Sequence, residues 1–318
     1  MEHKLTERDI LNKIYSLAMG QKDKNLVVGP GDDCAVVKIS KNKSLVITTD
    51  GLVEGTHFIS HKNNAKNLAQ KLIRSNLSDF AGMGDIKVLS AVCAVGLPAG
   101  ISGTWVNIFA KELFNEAKKF NLTISGGNIT KSKTMHLYLT VFGTADSKKI
   151  IKRSTAVSGD LIYAVGNFGH SKAGTELIKK KSVKFKTLTN DFWRPKICMR
   201  EAKVLSQNAL ASAMADNSDG LYESVKILAE SSGIGANIEP VEKLISPALK
   251  EYCKFYRKNP KEYVLFGGED YGLVFAVSPK NEKKLIKLLP KIRRVGKFLK
   301  KKGVTSDEFS KNKTFLHF

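Results

Sequence analysis

Apolar and polar positions along the chain follow two rhythms, one of helices and one of strands. Near the start, Ile10, Ile14, Leu17 and Ala18 fall on one helical face, and Thr6 with Asp9 has the capping-box pattern that would begin the helix. A Gly-Pro-Gly-Asp-Asp turn (Gly29 to Asp33) follows, and then the strand run Leu45-Val46-Ile47-Thr48-Thr49, which ends at Asp50. Helical spacing returns at Ala65, Leu68, Ala69, Leu72, Ile73, Asn76 and Leu77, and carries Asp79 to the C-terminal part of that helix. Val88 to Val95 reads as a buried strand. Trp105, Phe109, Leu113 and Ala117 mark a second amphipathic helix, Ser125 to Asn128 a turn, and Met135 to Phe142 an alternating strand.

Small and charged residues from Asp146 to Gly159 read as a domain junction, which predicts one domain over residues 1–147 and a second over 148–318. The second half restarts with the strand Leu161 to Val165 and a glycine-spaced turn (Gly166, Gly169, Gly174) that leads into a helix. A helix follows Pro195, and the tight run Asp216-Asn217-Ser218-Asp219-Gly220 opens a helix from Leu221 to Glu230. Gly267-Gly268-Glu269-Asp270 precedes the strand Leu273 to Val277, and a Lys-rich amphipathic helix is expected after Pro279. Strands alternate with helices in both halves, so the pattern predicts two α/β or α+β domains. No solenoid period interrupts it.

Charge first suggests a different picture. The 318 residues carry 52 Lys plus Arg against 30 Asp plus Glu, a formal +22, which is the balance of a nucleic-acid or membrane-surface binder. Only eight of those cations are arginines, however, and bidentate reading of phosphates and bases favours Arg. The Lys excess is concentrated from Pro279 to Gly303 and from Lys179 to Lys186, and reads as solvated surface, with neither a nucleic acid nor a membrane as partner. Val88 to Ala110 is uncharged, but Gly96, Pro98, Gly100 and Gly103 break it, so it is expected to be a strand, a turn and a helix start rather than a membrane span. Residues 1–10 are charged throughout and hold no signal-peptide core. Cys34, Cys93, Cys198 and Cys253 stand far apart, as expected of free thiols in a cytoplasmic protein.

The scarce acids carry more information. Asp32, Asp33, Asp50, Asp79, Asp216, Asp219, Glu269 and Asp270 all stand at the ends of apolar segments, beside Gly, Ser or Thr. Any one of them could be a helix cap or turn residue. Together they suggest a site gathered from element ends. Oxygen ligands without a His or Cys cluster suit a hard cation such as Mg²⁺ in company with phosphates. Gly126-Gly127 after a strand, and Gly166 to Gly174 before a helix, could bring backbone amides to an anion. Neither a Walker A pattern nor GxGxxG nor a protein-kinase catalytic loop is present, so any phosphoryl transfer must use another architecture.

Five motifs in order carry a resemblance: Gly31-Asp32-Asp33-Cys34-Ala35-Val36; Thr48-Thr49-Asp50-Gly51-Leu52-Val53-Glu54-Gly55-Thr56-His57-Phe58; Asn76-Leu77-Ser78-Asp79 with Ala81-Gly82-Met83-Gly84; Asp216-Asn217-Ser218-Asp219-Gly220-Leu221; and Gly267-Gly268-Glu269-Asp270-Tyr271. The chain resembles the thiamine-monophosphate kinase family over nearly its whole length. Its acidic turn and GGED motif also resemble the wider aminoimidazole-ribonucleotide-synthetase-like superfamily. The resemblance implies that fold: an N-terminal domain with a mixed sheet and helices that dimerises, and a C-terminal α/β sandwich. It implies a cytoplasmic homodimeric enzyme of thiamine diphosphate biosynthesis, which phosphorylates thiamine monophosphate with ATP by in-line transfer assisted by several Mg²⁺ ions.

Position by position, the resemblance implies metal ligands at Asp33, Thr48, Thr49, Asp50, Asp79, Asn128, Asp216 and Asp219, with Asp50 and Asp79 central to catalysis. ATP would meet Gly127, Asn128, Arg153 and Ser218; thiamine phosphate would meet His57, Glu269 and Phe315. The acceptor is itself a phosphate with a second pKa of about 6, so it needs no general base. The obstacle is the mutual repulsion of two polyanions. Two positions depart from the family pattern. Asn128 replaces an aspartate, removing one negative charge, and Gly272 stands where Glu usually follows the Tyr of GGEDYE. Asn128 keeps open the alternative of a catalytically weak thiamine-phosphate or nucleotide-binding protein. Another ATP-using enzyme of the superfamily is a further alternative, against which the Thr48 to Phe58 run argues.

Overall fold

The computed structural model describes residues 6–20, 23–62 and 64–306. Its first half is a six-stranded sheet made of β1 (Leu26–Val28), β2 (Ala35–Lys38), β3 (Lys43–Val53), β4 (Lys87–Pro98), β5 (Thr123–Ser132) and β6 (His136–Asp146). The spatial order is β1-β2-β3-β6-β4-β5, with β4 and β5 parallel and the other neighbours antiparallel. Two helices, α2 (Ala65–Met83) and α3 (Gly103–Lys119), cover one face. Side chains alternate across a strand. Val46, Leu52, Leu137, Leu139 and Val141 therefore point under the helices and are fully buried, while Val92 and Tyr138 remain exposed on the outer face.

The second half holds β7 (Leu161–Val165), β8 (Ala213–Asp216), β9 (Gly235–Ile238), β10 (Leu273–Val277), β11 (Arg293–Leu299) and β12 (Gly303–Ser306), in the order β12-β9-β11-β7-β10-β8. Only β12 and β9 run parallel. Its helices are α4 (His170–Lys179), α5 (Lys186–Trp193), α6 (Met199–Gln207), α7 (Leu221–Ser231), α8 (Pro247–Tyr256), α9 (Pro260–Phe266) and α10 (Glu282–Leu288). Apolar clusters form on both faces of this sheet, which explains why β7 and β10 are continuous apolar runs rather than alternating ones. The mixed α/β architecture in two halves agrees with the sequence pattern. The expected division at 147/148 falls just after β6.

Four expectations change. Ser125 to Asn128 is not a turn but lies inside β5. Gly127 lets β5 lie close to β4: a Cβ there would stand 1.9 Å from the Cys93 carbonyl oxygen. The first helix, α1 (Glu7–Met19), has its predicted capping box, but Ile14 and Leu17 of its apolar face are exposed. The amides at the start of α4 already have an acceptor of their own. Asp270 accepts from the Gly169 N–H at 2.5 Å and from the Ser171 N–H at 2.9 Å. Val88 to Ala110 resolves into β4, a turn and α3, although β4 is not the buried strand expected, since Leu89 and Val92 are exposed; no helix among the described residues is long and apolar enough to cross a membrane.

Candidate active site

The site forms where α2 meets both halves. On its β3 side, α2 offers Asn76, whose Oδ1 accepts the Asp50 N–H at 2.9 Å, and Asp79, whose Oδ2 accepts the Thr48 hydroxyl at 2.5 Å. On its other side, Lys71, Ser75, Ser78 and Gly82 repeat at helical spacing. Ser78 donates to Asp216 Oδ2 at 2.7 Å, so one helix ties the acids of the first half to the end of β8. Gly82 supplies the room this approach needs: a Cβ there would fall 2.0 Å from Asp33 Oδ2.

Asp33, Asp79 and Asp216 converge, with one carboxylate oxygen of each within 4.8 Å of the others. Asp33 also accepts from the Asp216 N–H at 3.4 Å and pairs with the Arg153 guanidinium. Asp32 braces this turn by accepting from the Arg153 N–H at 3.1 Å and the Asp33 N–H at 3.0 Å. Burial, reinforced by the neighbouring carboxylates, pushes Asp79 well above the usual carboxylate range; it pushes Asp216 up to about 8 and Asp32 to about 6. Burial also raises Asp33 and Asp50. Burial opposes the charge of Arg153, but Asp33, Asp216 and Asp32 outweigh it and raise its pKa. One guanidinium thus faces several crowded carboxylates. That surplus of oxygen ligands is what a hard divalent cation would match, and its charge would favour their ionised forms.

Other predicted residues border this cluster. Asp50 is half-buried against Ser75 of α2, with His57 and Glu269 near enough to act on its charge. His57 Nδ1 accepts the Val53 N–H at 3.1 Å, which fixes the ring beside β3. Asp219 acts on the charges of both Asp33 and Asp216. Ser218 takes the Glu269 N–H on its carbonyl at 2.5 Å, and Asn217 takes the Tyr271 N–H at 2.9 Å, so the two acidic loops of the second half clamp each other. Glu269 and Tyr271 both have positive φ, 62° and 53°, inside that clamp. Gly272 packs there too: a Cβ on it would come 2.6 Å from the Val165 carbonyl oxygen.

Two predicted groups stand apart within one chain. Thr49 points to the sheet face opposite Thr48 and Asp50, and its hydroxyl meets Thr140 at 3.0 Å. Gly127 and Asn128 lie exposed on β5, in register with Asp50 and Gly51 but three strand spacings away, roughly 14 Å. Phe315 lies outside the described residues. Sequence reasoning did not single out Lys71 or Ser75 and named Ser78 and Gly82 only as motif letters. All four share the stripe of α2 described above.

Residues 31–145 match the family described as AIR synthase related protein, N-terminal domain, and residues 157–307 match its C-terminal domain. The chain is 35% identical over 288 residues to the thiamine-monophosphate kinase of Buchnera aphidicola subsp. Schizaphis graminum, covering 88% of this chain and 85% of that one. It is 31% identical over 300 residues to the thiamine-monophosphate kinase of Haemophilus influenzae, covering 90% and 88%. A solved structure of AaThiL complexed with AMPPCP and TMP superposes with a TM-score of 0.89 at 30% identity, covering 100% of this chain and 99% of that one.

Proposed function

Because this chain belongs to the thiamine-monophosphate kinase family, we propose that the cluster of Asp33, Asp79 and Asp216 beside Arg153 is where it phosphorylates thiamine monophosphate with ATP. The observation that carries this reading is the convergence of those carboxylates from three distant motifs onto one point between the halves. The reaction makes thiamine diphosphate, and the cytoplasm is its expected place, in keeping with four free cysteines, three of them buried.

Both substrates are polyanions. Arg153 is the cation built into the site, and moving its guanidinium from Asp33 to a nucleotide phosphate would exchange one anionic partner for another. Ser218, in the clamp opposite Glu269, is assigned to the nucleotide, and His57 and Glu269 to thiamine monophosphate. The carboxylates and hydroxyls that fit Mg²⁺ are Asp33, Thr48, Asp50, Asp79, Asp216 and Asp219. Bound Mg²⁺ would screen the repulsion between the substrates and draw off charge from the transferred phosphoryl group. The chain's own part is to fix these oxygens: Ser78 holds Asp216, Thr48 holds Asp79, and Asn76 holds the backbone of Asp50.

Thr49, Gly127 and Asn128 enter the site in a homodimer. Thr49 and Asn128 share the outer sheet face with the exposed Val92 and Tyr138, and a second copy covering that face would bring one copy's β5 toward the other's β3. An apolar face left open on a single chain is the usual mark of such an interface. The test is ADP release coupled to a reporter, with ATP, Mg²⁺ and thiamine monophosphate, beside controls with unphosphorylated thiamine and with inorganic phosphate. Release only with thiamine monophosphate is expected. Equal release without an acceptor would refute the reading.

A further inference from the structure

One side chain on the inner stripe of α2 has no part in the roles above. The Lys71 side chain has no exposed surface, although lysine is among the residues least often fully buried. Its Nζ lies 3.0 Å from Glu269 Oε1 and 3.5 Å from the centroid of the Phe192 ring. Both partners belong to the second half. A buried ammonium is costly unless it is paired; these two groups meet it directly, and Asp50 acts on its charge from nearby.

The pair leaves capacity unused. Lys71 Nζ is the one group found against Glu269 Oε1, at 3.0 Å, and that oxygen meets no other donor among the described residues, whereas an ionised carboxylate can accept several hydrogen bonds. A contact whose only task was to join the halves would be better served by apolar side chains, since a buried ion pair is a weak source of stability. Meanwhile the Glu269 backbone is held at a φ of 62° by the clamp to Ser218. For a residue other than glycine such a conformation is uncommon, and it clusters at binding sites. Backbone and charge of Glu269 are therefore both fixed, with acceptor capacity to spare.

Thiamine monophosphate carries a permanently cationic thiazolium ring and an amino group on its pyrimidine, so it offers both a positive charge and N–H donors to such an acceptor. We infer that Lys71 is a positioning residue for thiamine monophosphate: it holds the Glu269 carboxylate as an oriented anion facing the substrate's cationic, amino-bearing end, without touching the substrate itself. This rests on the reading of the site as a thiamine-monophosphate kinase in which Glu269 meets that substrate.

The test compares Lys71→Met, Glu269→Gln and the double variant in the full chain, reading kcat and KM for each substrate at fixed Mg²⁺. Lys71→Met is expected to raise KM for thiamine monophosphate about tenfold or more, and to leave KM for ATP within about twofold. The double variant should be no worse than Glu269→Gln alone, because both changes act through one carboxylate. An unchanged KM for thiamine monophosphate, an equal rise for both substrates, or additive effects in the double variant would each overturn the inference. If Lys71→Met does not fold, Phe192→Leu removes only the ring beneath the ammonium; it should raise the same KM about threefold, and no rise would count against Lys71 equally. A wild-type chain that does not turn over thiamine monophosphate would instead remove the functional reading on which the inference stands.

Discussion

Neutralising one buried acid should make the metal-free protein more stable and the enzyme inactive. Asp216 is the acid to change. Its carboxylate is buried beside Asp33 at the end of β8, and burial pushes its pKa up to about 8 from an ordinary value near 4. In the folded chain it then stays protonated to about pH 8, while in the unfolded chain it ionises near pH 4. The unfolded state therefore binds fewer protons between those limits, and stability must fall as pH rises through that window. At about 1.4 kcal/mol per pH unit, the loss has a ceiling of about 5 kcal/mol by pH 8. Asp216→Asn removes this titration and keeps an oxygen to accept from Ser78, although its new amide must find an acceptor among crowded oxygens. We expect a net gain of about 2–4 kcal/mol at pH 8 and almost none at pH 4. Urea denaturation in EDTA at pH 5, 6.5 and 8, followed by circular dichroism, measures it. Phosphotransfer by the same variant should be lost at every pH. A wild-type stability that is flat from pH 5 to 8, or a variant less stable than wild type at pH 8, would refute the reasoning.

Other outcomes follow from the same geometry. Asp50→Ala and Asp79→Ala should each lower kcat by about a thousandfold or more while shifting Tm by only a few degrees, and near-normal turnover of either at saturating Mg²⁺ would remove them from the site. Asn128→Asp restores a charge to β5 and should lower the Mg²⁺ concentration needed for half-maximal rate; an identical Mg²⁺ titration would show that this position does not reach the ions. Val92→Asp places a charge on the exposed sheet face, and sedimentation should show dimers giving way to monomers with loss of activity. Monomeric wild-type protein at assay concentrations would argue against the shared site.

Much of this was legible in the sequence, for reasons that differ by residue. The strands Leu161–Val165 and Leu273–Val277 were read to the residue because a strand buried on both faces is a continuous apolar run between turn signals. The acids were legible because carboxylates are scarce in this chain and cluster at element ends. Thr48 and Thr49 show a signal that was present but unused. Neighbours in a strand face opposite ways, so both could not serve one side of the sheet. Ser125 to Asn128 misled because glycines mark turns and also close strand approaches, and only the presence of Cys93 beside Gly127 decides between them. The stripe from Lys71 to Gly82 was hidden for a deeper reason. On a helix already assigned an apolar face, polar residues elsewhere look solvated. What covers Lys71 and Ser78 here is chain more than a hundred residues away.

That stripe makes α2 common property. The helix is core to the sheet it packs on, yet through Ser78 and Lys71 it is also bolted to two loops of the other half. A swap of either half for that of a relative would thus leave a helix whose outward lettering no longer matches its new neighbour. Chimeras joined near residue 147 should fold as two sound pieces and fail as an enzyme. Moving 65–83 together with the loops at 216–220 and 267–272 should recover activity. The unit that such a chimera tests is a helix and two loops, cut across the boundary that the sheets draw.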